Sequence, residues 1–203
     1  MTRTAFRIAL YSTLAVMTLA LIAWQWGLAP FAPRQPGGVA LIGGPFTLVD
    51  HNGQTRTEQD YRGRLMLIYF GYTNCPDVCA MALQGMTVAL GRLGRAAKQV
   101  QPIFITTDPA RDTPAHLNGY VANFPGLVGL TGGEAPLRAA AKAYRVYSRK
   151  SDHKPHEGEH KHADYLVDHS SIVYLMDRDG RYLTHFSHTT PPETMAAKIA
   201  GHL

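Results

Sequence analysis

The feature that most constrains the fold of this chain is an uninterrupted apolar run, residues 65–70, followed at once by a segment that holds both cysteines. The run reads Leu-Met-Leu-Ile-Tyr-Phe. Such a run without alternation is typical of a strand that is buried on both faces. From Cys75 to Leu93 apolar residues recur at helical spacing. The sequence therefore predicts a buried strand, a short connection and a helix, with Cys75 and Cys79 at the start of that helix.

Strands and helices alternate along the rest of the chain after residue 45. An N-terminal hairpin is indicated by the turn signal Asn52-Gly53. The other predicted elements are strands at 100–106, 127–130, 172–176 and 182–186 and helices at 113–124, 134–144 and 192–199, with Thr113 as an N-cap. The order β-α-β-α, then β-β-α, predicts an α/β fold with a mixed central sheet. It is similar to the thioredoxin-like pattern, to which the hairpin at 46–57 is an extension.

The N-terminal segment predicts a membrane anchor. Residues 8–24 are an uncharged run of 17 residues. Counted to Leu28, the run can form a helix of about 20 residues, roughly 30 Å long, which is enough to cross a bilayer. Arg3 and Arg7 precede the run and should stay in the cytoplasm. We therefore expect a single-pass anchor at residues 1–28 in the inner (cytoplasmic) membrane, with the remainder on the periplasmic side.

A cleaved signal peptide is the alternative for this segment. Its only late small-x-small tripeptide, residues 27–29, is followed by Pro30, which is unfavourable just after a scissile bond, so an uncleaved anchor is favoured. Residues 29–45 hold four prolines and four glycines, which predict an extended linker. The folded domain is then expected to span residues 46–203.

Charge and cysteine content exclude several classes of protein. The net charge is +5, but residues 1–49 carry three arginines and no acidic residue, and the remainder has 17 basic and 15 acidic side chains. That balance lacks the dense basic patch that nucleic-acid binding needs. Two cysteines among 203 residues exclude a disulfide-rich scaffold and a four-cysteine zinc site.

The spacing of the two cysteines favours metal binding. Three residues separate Cys75 from Cys79, whereas thioredoxin-type redox enzymes have two between their cysteines. On one helical face this spacing sets the Cβ atoms about 5–6 Å apart, and a disulfide needs roughly 3.5–4.5 Å. A redox disulfide between them is therefore feasible and reversible, but two thiolates suit one shared metal ion. A static structural disulfide is the weaker alternative, because the loop that it closes is short.

Two thiolates leave a metal ion under-coordinated, so a third ligand has to come from elsewhere. His169 stands out among the ten histidines, because it lies just before the strand at 172, on the loop that faces the cysteines in a thioredoxin-like fold. An exposed loop histidine without a role is the alternative. Five histidines without ligand spacing are expected to be surface residues: His51, His116, His185, His188 and His202.

Three motifs resemble those of the Sco/SenC copper chaperones, a family of cytochrome c oxidase assembly proteins. They read Phe-Gly-Tyr-Thr-Asn-Cys-Pro-Asp-Val-Cys at 70–79, Thr-Asp-Pro-Ala-Arg-Asp-Thr-Pro at 107–114 and Tyr-Leu-Val-Asp-His-Ser at 165–170. They occur in the family's order, and the resemblance covers about residues 46–200. The resemblance implies a thioredoxin-like fold and a role in the assembly of the dinuclear copper site of cytochrome c oxidase.

The resemblance also implies ligands and partners. One copper ion, Cu(I) or Cu(II), would be bound by Cys75, Cys79 and His169. Thiolates select Cu(I), and imidazole suits both oxidation states. The implied partners are the oxidase subunit that carries the copper site, other copper chaperones and thiol reductants. Ala80 departs from the family, which commonly has proline at this position.

A histidine-rich stretch at 148–163 is longer than is usual for the family. We interpret its histidines either as an auxiliary metal site or as incidental members of a polar loop. They are His153, His156, His160 and His162.

Carboxylates are expected to support the ligands. Asp108 and Asp168 are predicted to orient the ligating side chains. Asp108 should form one charged turn with Arg111 and Asp112 near the site. For Asp112, capping of the helix that begins after Thr113 is at least as good an interpretation.

The sequence favours a chaperone over an enzyme. Copper would move by ligand exchange between exposed thiolates, which requires no turnover chemistry. The alternative is a thiol-disulfide oxidoreductase that reduces the cysteines of the oxidase copper site. A peroxide-reducing enzyme of thioredoxin-like fold is less favoured, because it needs one activated thiolate in its own Thr/Arg setting.

Overall fold

The structure, a computed structural model, describes residues 7, 11–15, 17–18, 42–76, 78–150, 167–169 and 171–203. The described residues before position 19 are helical. Within the described ranges, no helix is long and apolar enough to cross a bilayer. Most of the predicted anchor and linker lies outside these ranges, so both stay predictions.

The described residues of the unit from Leu41 to Leu203 contain nine strands. They are β1 (Thr47–Asp50), β2 (Thr55–Thr57), β3 (Leu65–Gly71), β4 (Val100–Thr106), β5 (Val128–Thr131), β6 (Ser148–Lys150), β7 (Val167–His169), β8 (Ile172–Met176) and β9 (Tyr182–Ser187). Seven of them form one sheet in the order β2-β1-β5-β4-β3-β8-β9. β3, β4 and β5 are parallel, and the outer pairings are antiparallel. The predicted mixed central sheet and N-terminal hairpin are confirmed.

In the part of the chain that the structure describes, four α-helices accompany the sheet: α1 (Val78–Arg92), α2 (Pro114–Val121), α3 (Glu134–Ala143) and α4 (Pro192–Ala200). Thr113 caps α2 as predicted, since its side chain accepts a hydrogen bond from the backbone of His116. The prediction that the first helix begins at Cys75 is wrong, because α1 begins at Val78. A residue before proline is disfavoured in helical conformation, and Pro76 follows Cys75.

The hydrophobic core lies on both faces of β3, every residue of which is buried. Leu67 and Tyr69 pack on the side of α1, α2 and α4. Ile68 and Phe70 pack on the opposite side, which α3 covers. This alternation is the two-residue period of a strand covered on both faces, and it places the carboxyl end of β3 where the cysteine segment begins.

Candidate metal centre

The cysteine loop, residues 71–79, connects β3 to α1 and brings both predicted thiol ligands to one place. Cys75 is half-buried, and its N–H donates to the carbonyl of Tyr72 at 3.3 Å, which closes a turn. Cys79 lies in the first turn of α1 and is completely buried. Both cysteines carry reduced thiols, and the two side chains hydrogen-bond each other. The pair is thus asymmetric, with one sulfur open to a partner and the other set in the core.

Close packing surrounds the sulfur of Cys79. The hydroxyl of Tyr69 donates to Cys79 Sγ at 3.7 Å. A Cβ atom at Gly71 would lie 2.8 Å from this sulfur and 2.9 Å from the ring of Tyr69. Non-bonded atoms do not approach so closely, so there is no room for a side chain at position 71 and only glycine fits there. The sequence Phe70-Gly71 therefore makes room for the buried thiol.

The electrostatics of the pair keep Cys79 protonated in the absence of a metal. A hydrogen bond with the sulfur of Cys75 is the largest cause that raises the pKa of the Cys79 thiol, and burial raises it further. Hydrogen bonds from the backbone of Tyr72 and the hydroxyl of Tyr69 oppose this shift without cancelling it. A metal ion that binds both sulfurs must therefore displace a proton from Cys79, and binding is coupled to pH.

The turn that follows β4 holds the cysteine loop from the other side. The carboxylate of Asp112, which is fully buried, accepts hydrogen bonds from Thr106 Oγ1 at 2.6 Å, Thr73 Oγ1 at 2.5 Å and Thr73 N at 3.1 Å. The N–H and hydroxyl of Thr107 donate to the carbonyl of Gly71 at 2.7 and 3.1 Å. The loop is therefore fastened to the end of the neighbouring parallel strand.

The sequence predicts Asp112 in a charged turn near the site with Asp108 and Arg111, but it does not indicate the hydrogen bonds of Asp112 to Thr73 and Thr106. The interpretation that it caps α2 is wrong, because Thr113 supplies the cap. A usable signal did exist. β3 and β4 were both predicted as buried strands, and the carboxyl ends of neighbouring parallel strands meet at one edge of a sheet, where ligands bind.

Asp108 and Arg111 lie in the same turn. The Asp108 carboxylate is buried and forms an ion pair with Nε of Arg111. The guanidinium of Arg111 lies 5.7 Å from the ring centre of Tyr72, at the start of the cysteine loop. Asp108 thus reaches the loop through these two side chains, and its role toward a bound ion stays a prediction.

The backbone of His169 lies on β7, opposite Ser148 of β6. Two residues later, the side chain of Ser171 hydrogen-bonds Tyr69, whose hydroxyl donates to Cys79. Two residues span at most about 7 Å of chain, so this segment passes close to the cysteine loop. The side chains of Asp168 and His169 lie outside the described residues. So do the four clustered histidines, His153, His156, His160 and His162.

The donor set fits copper with one ligand still to be supplied. Among the described side chains, no group of three His, Cys, Asp or Glu residues could hold a metal ion. Two adjacent thiols are soft donors that suit Cu(I), and one imidazole would complete a three-ligand site. A structural zinc site would usually require four ligands. The backbone course near Ser171 makes His169 the predicted source of the third.

Three of the histidines expected at the surface have contacts that the sequence did not indicate. Nδ1 of His185 lies 2.5 Å from the hydroxyl of Tyr182. His116 is exposed, but its Nε2 lies 2.9 Å from Thr73 Oγ1 in the cysteine loop. His51 is half-buried, and its Nδ1 accepts a hydrogen bond from the backbone N–H of Gly129 at 3.2 Å.

Sequence comparisons match most of the chain to one family. A family model described as SCO1/SenC matches residues 34–203. The mitochondrial SCO1 homolog of Mus musculus is 40% identical over 169 residues, which are 82% of this chain and 57% of that protein. The SCO2-like protein of Rickettsia felis is 37% identical over 162 residues, 79% of this chain and 77% of that protein.

Solved structures agree with the sequence matches. Bradyrhizobium japonicum ScoI with copper bound superposes with a TM-score of 0.70 at 43% identity, covering 80% of this chain and 99% of that one. Yeast Sco1 with copper bound gives a TM-score of 0.69 at 40% identity, covering 79% and 87%. Both similar structures hold the metal that the donor set fits.

The extent of these matches differs between relatives. The chain spans a little over half the length of the mouse relative, 57%, but nearly the whole of the Bradyrhizobium structure. The part matched by the family model, residues 34–203, includes the mixed sheet and the cysteine loop. The chain therefore belongs to the SCO1/SenC family, whose thioredoxin-like fold its seven-stranded sheet matches.

Proposed function

We propose that this chain is a copper chaperone that binds one copper ion through Cys75, Cys79 and His169 and delivers it to the dinuclear copper site of cytochrome c oxidase. The observation that carries the proposal is the pair of neighbouring thiols that follows β3, one half-exposed and one buried. The similar structures of ScoI and Sco1 with copper bound support it.

Ligand exchange follows from the asymmetry of the pair. A ligand of the receiving subunit can approach copper from the side of Cys75, which is partly open to solvent. Cys79 is the ligand that the core holds in place, so it should leave last. The receiving copper-site subunit takes the ion, and other copper chaperones supply it.

The experiment is Cu(I) titration of the reduced full chain and of three ligand variants. Cys75→Ser and Cys79→Ser should abolish tight binding, since each leaves one thiolate. His169→Ala should keep Cu(I) more weakly through two sulfurs and should lose more of its Cu(II) binding, because the harder ion depends more on imidazole. If His169→Ala binds Cu(I) and Cu(II) with the same affinities as the unchanged chain, the third ligand is a residue other than His169.

We also propose that the chain is anchored in the inner membrane by residues 1–28, with its folded domain on the periplasmic side. The support is the uncharged run of residues 8–24 behind Arg3 and Arg7. Mass spectrometry of the mature protein should detect the N-terminal segment. A mature chain that begins near residue 30 would contradict the anchor.

A thiol-disulfide oxidoreductase is the second candidate, and the exposure difference between the thiols favours it. The Cys75 thiolate would attack a partner disulfide to form a mixed disulfide. Cys79, after losing its proton, would then attack Cys75 and release the partner as a dithiol, leaving the chain as the Cys75–Cys79 disulfide. Two electrons pass from this chain to its partner, and a thiol reductant has to restore the dithiol.

The two functions separate in one experiment. The reduced, copper-free chain is mixed with a peptide that carries one intramolecular disulfide, and released peptide thiols are counted. One dithiol per chain, with equal yield from His169→Ala, would support the reductase. No reduction, together with stoichiometric copper after anaerobic purification, would support the chaperone.

An auxiliary site at His153, His156, His160 and His162 remains a proposal of the same kind. Imidazoles suit copper in both oxidation states, so these residues could recruit the ion weakly before it reaches the thiols. A variant with all four replaced by alanine should still bind one Cu(I) tightly but lose any further, weaker equivalents. Unchanged stoichiometry at every copper concentration would show that the histidines are incidental.

A further inference from the structure

The two cysteines are held in place by different parts of the molecule. The hydrophobic core fixes Cys79, which is completely buried. Cys75 precedes α1 and is half-buried at the margin of the core, where its side chain hydrogen-bonds that of Cys79. Its backbone position is set by the turn between Tyr72 and Cys75, which one hydrogen bond of 3.3 Å closes. Whatever holds this turn sets the relation between the two sulfurs.

Asp112 holds the turn through Thr73. Its Oδ2 accepts from the N–H of Thr73 at 3.1 Å, and its Oδ1 accepts from the hydroxyl of the same residue at 2.5 Å. Oδ2 also accepts from Thr106 Oγ1 at 2.6 Å, on the last residue of β4. The carboxylate, which lies 39 residues from Thr73 in the chain, therefore ties the turn to the end of a central strand.

The carboxylate of Asp112 is buried, and its hydrogen bonds to the cysteine loop help to compensate for that burial. Asp112 has a relative exposure of 0%. Within the described part of the chain, no lysine or arginine lies within ion-pair distance of it. Burial of a carboxylate is costly unless hydrogen bonds compensate for it. The hydrogen bonds that the structure gives this carboxylate go to Thr73 and Thr106, and α2 has its own cap in Thr113.

We propose that Asp112 is a positioning residue for Cys75: through Thr73 it holds the half-exposed sulfur where it can share one copper ion with Cys79. This inference rests on the proposed function, in which both cysteines bind copper. Without the carboxylate the turn loses its anchor, Cys75 moves relative to Cys79, and a copper ion is less often held by both sulfurs at once.

The test uses the reduced full chain with Asp112→Ala, Asp112→Asn and Thr73→Val, at a temperature where each is folded. Cu(I) affinity is measured by competition with a chelator, and amide hydrogen exchange is followed at residues 72–75. Asp112→Ala should bind Cu(I) about 10- to 100-fold more weakly, the usual effect of removing a group that orients a metal ligand. Asp112→Asn should restore part of the affinity, since an amide oxygen can still accept from Thr73 N. Exchange at 72–75 should be faster in Asp112→Ala and Thr73→Val.

Two controls match these variants. Asp50→Asn changes another buried carboxylate, far along the chain from the cysteine loop, and should leave both measurements unchanged. His116→Ala removes only the 2.9 Å contact of His116 with Thr73 Oγ1, so it shows whether the effect of Thr73→Val comes from that contact.

The outcomes separate this proposal from the proposed function. Failure of the unchanged chain to bind Cu(I) counts against the function. The positioning role is overturned when the unchanged chain binds Cu(I) and Asp112→Ala binds it equally tightly, or when exchange at 72–75 is unaltered. If Asp112→Ala does not fold, Thr73→Val decides: weaker Cu(I) binding supports the role, and unchanged binding refutes it.

Discussion

The β1–β2 hairpin and the cysteine loop each contain one buried carboxylate and one glycine, but these residues have different roles in the two regions. In the β1–β2 hairpin, Asp50 accepts from the backbone of Asn52 and Gln54 at 2.8 and 2.9 Å and pairs with Arg56. All these partners lie within six residues of Asp50. In the cysteine loop, Asp112 reaches Thr73 across 39 residues. A local carboxylate closes a turn, and a distant one fixes where a reactive side chain lies.

The glycines differ in the same sense. Gly53 has φ +81° in the hairpin turn and no neighbouring atom near its missing side chain, so its conformation is what requires glycine. Gly71 requires glycine because the sulfur of Cys79 and two aromatic rings fill the space around it. Backbone conformation therefore determines which residue fits in the hairpin turn, whereas packing between distant parts of the chain determines it in the cysteine loop.

The largest difference is expected for the two carboxylates. Asp112→Ala takes the acceptor from the N–H of Thr73 and from the buried hydroxyl of Thr106, and each such group costs about 1–3 kcal/mol. We expect a total loss of about 3 kcal/mol or more in the free energy of unfolding. Asp50→Ala should lose only about 1–2 kcal/mol, because water can reach the half-exposed hairpin and replace the lost acceptor. Urea unfolding of both variants measures the difference, and equal losses would break the comparison.

The glycines are expected to give a smaller difference. Gly71→Ala forces a methyl group against Cys79 Sγ and should cost about 1–3 kcal/mol, as overpacking of a filled core does. It should also weaken Cu(I) binding, because the sulfur has to shift. Gly53→Ala should cost about 1 kcal/mol through its left-handed backbone alone. Its Cu(I) affinity should equal that of the unchanged chain. Normal Cu(I) affinity in Gly71→Ala would show that the sulfur of Cys79 has room to move.

The two regions also show what sequence reasoning can reach. The hairpin was predictable because its turn signal, Asn52-Gly53, and its strands lie within a dozen residues. The cap of α2 at Thr113 and the buried strand β3 followed from equally local patterns. Each of these features is determined by the spacing of neighbouring residues, which a single sequence displays directly.

The cysteine loop was predictable in composition but not in geometry. The apolar spacing continues through Cys75 and therefore predicts a helix from that residue. Pro76 disfavours helical backbone at Cys75, and the helix begins only at Val78. The ribbon of β6 and β7 was not predicted, since three-residue polar strands carry no periodic pattern. The hydrogen bonds of Asp112 join two segments that meet because β3 and β4 pair in parallel. The sequence predicts both strands and a charged turn near the site, but no local pattern identifies Thr73 and Thr106 as the partners of Asp112.

The smallest expected effect is the response of the hairpin to acid. Burial by itself raises the pKa of Asp50, but hydrogen bonds from the backbone of Gln54, the side chain of Arg56 and the backbone of Asn52, with the charge of Arg56, outweigh it and lower the pKa. The ionised carboxylate therefore stabilises the fold fully above the pKa of aspartate in the unfolded chain, about 3.9. This stabilisation is lost as pH falls through the lower pKa of the folded chain.

Asp50→Asn should consequently be less stable than the unchanged chain at pH 7, by about 1 kcal/mol, and the two stabilities should converge below about pH 3. The measurement is urea unfolding of both chains at pH steps from 7 to 2.5. Cu(I) affinity at pH 7 serves as the control and should be the same in both, since the hydrogen bonds of the Asp50 carboxylate go to Asn52, Gln54 and Arg56 of the hairpin. A stability difference that stays constant over the whole pH range would show that the carboxylate acts through shape rather than charge. The hairpin would then resemble the cysteine loop, where packing decides which residue fits.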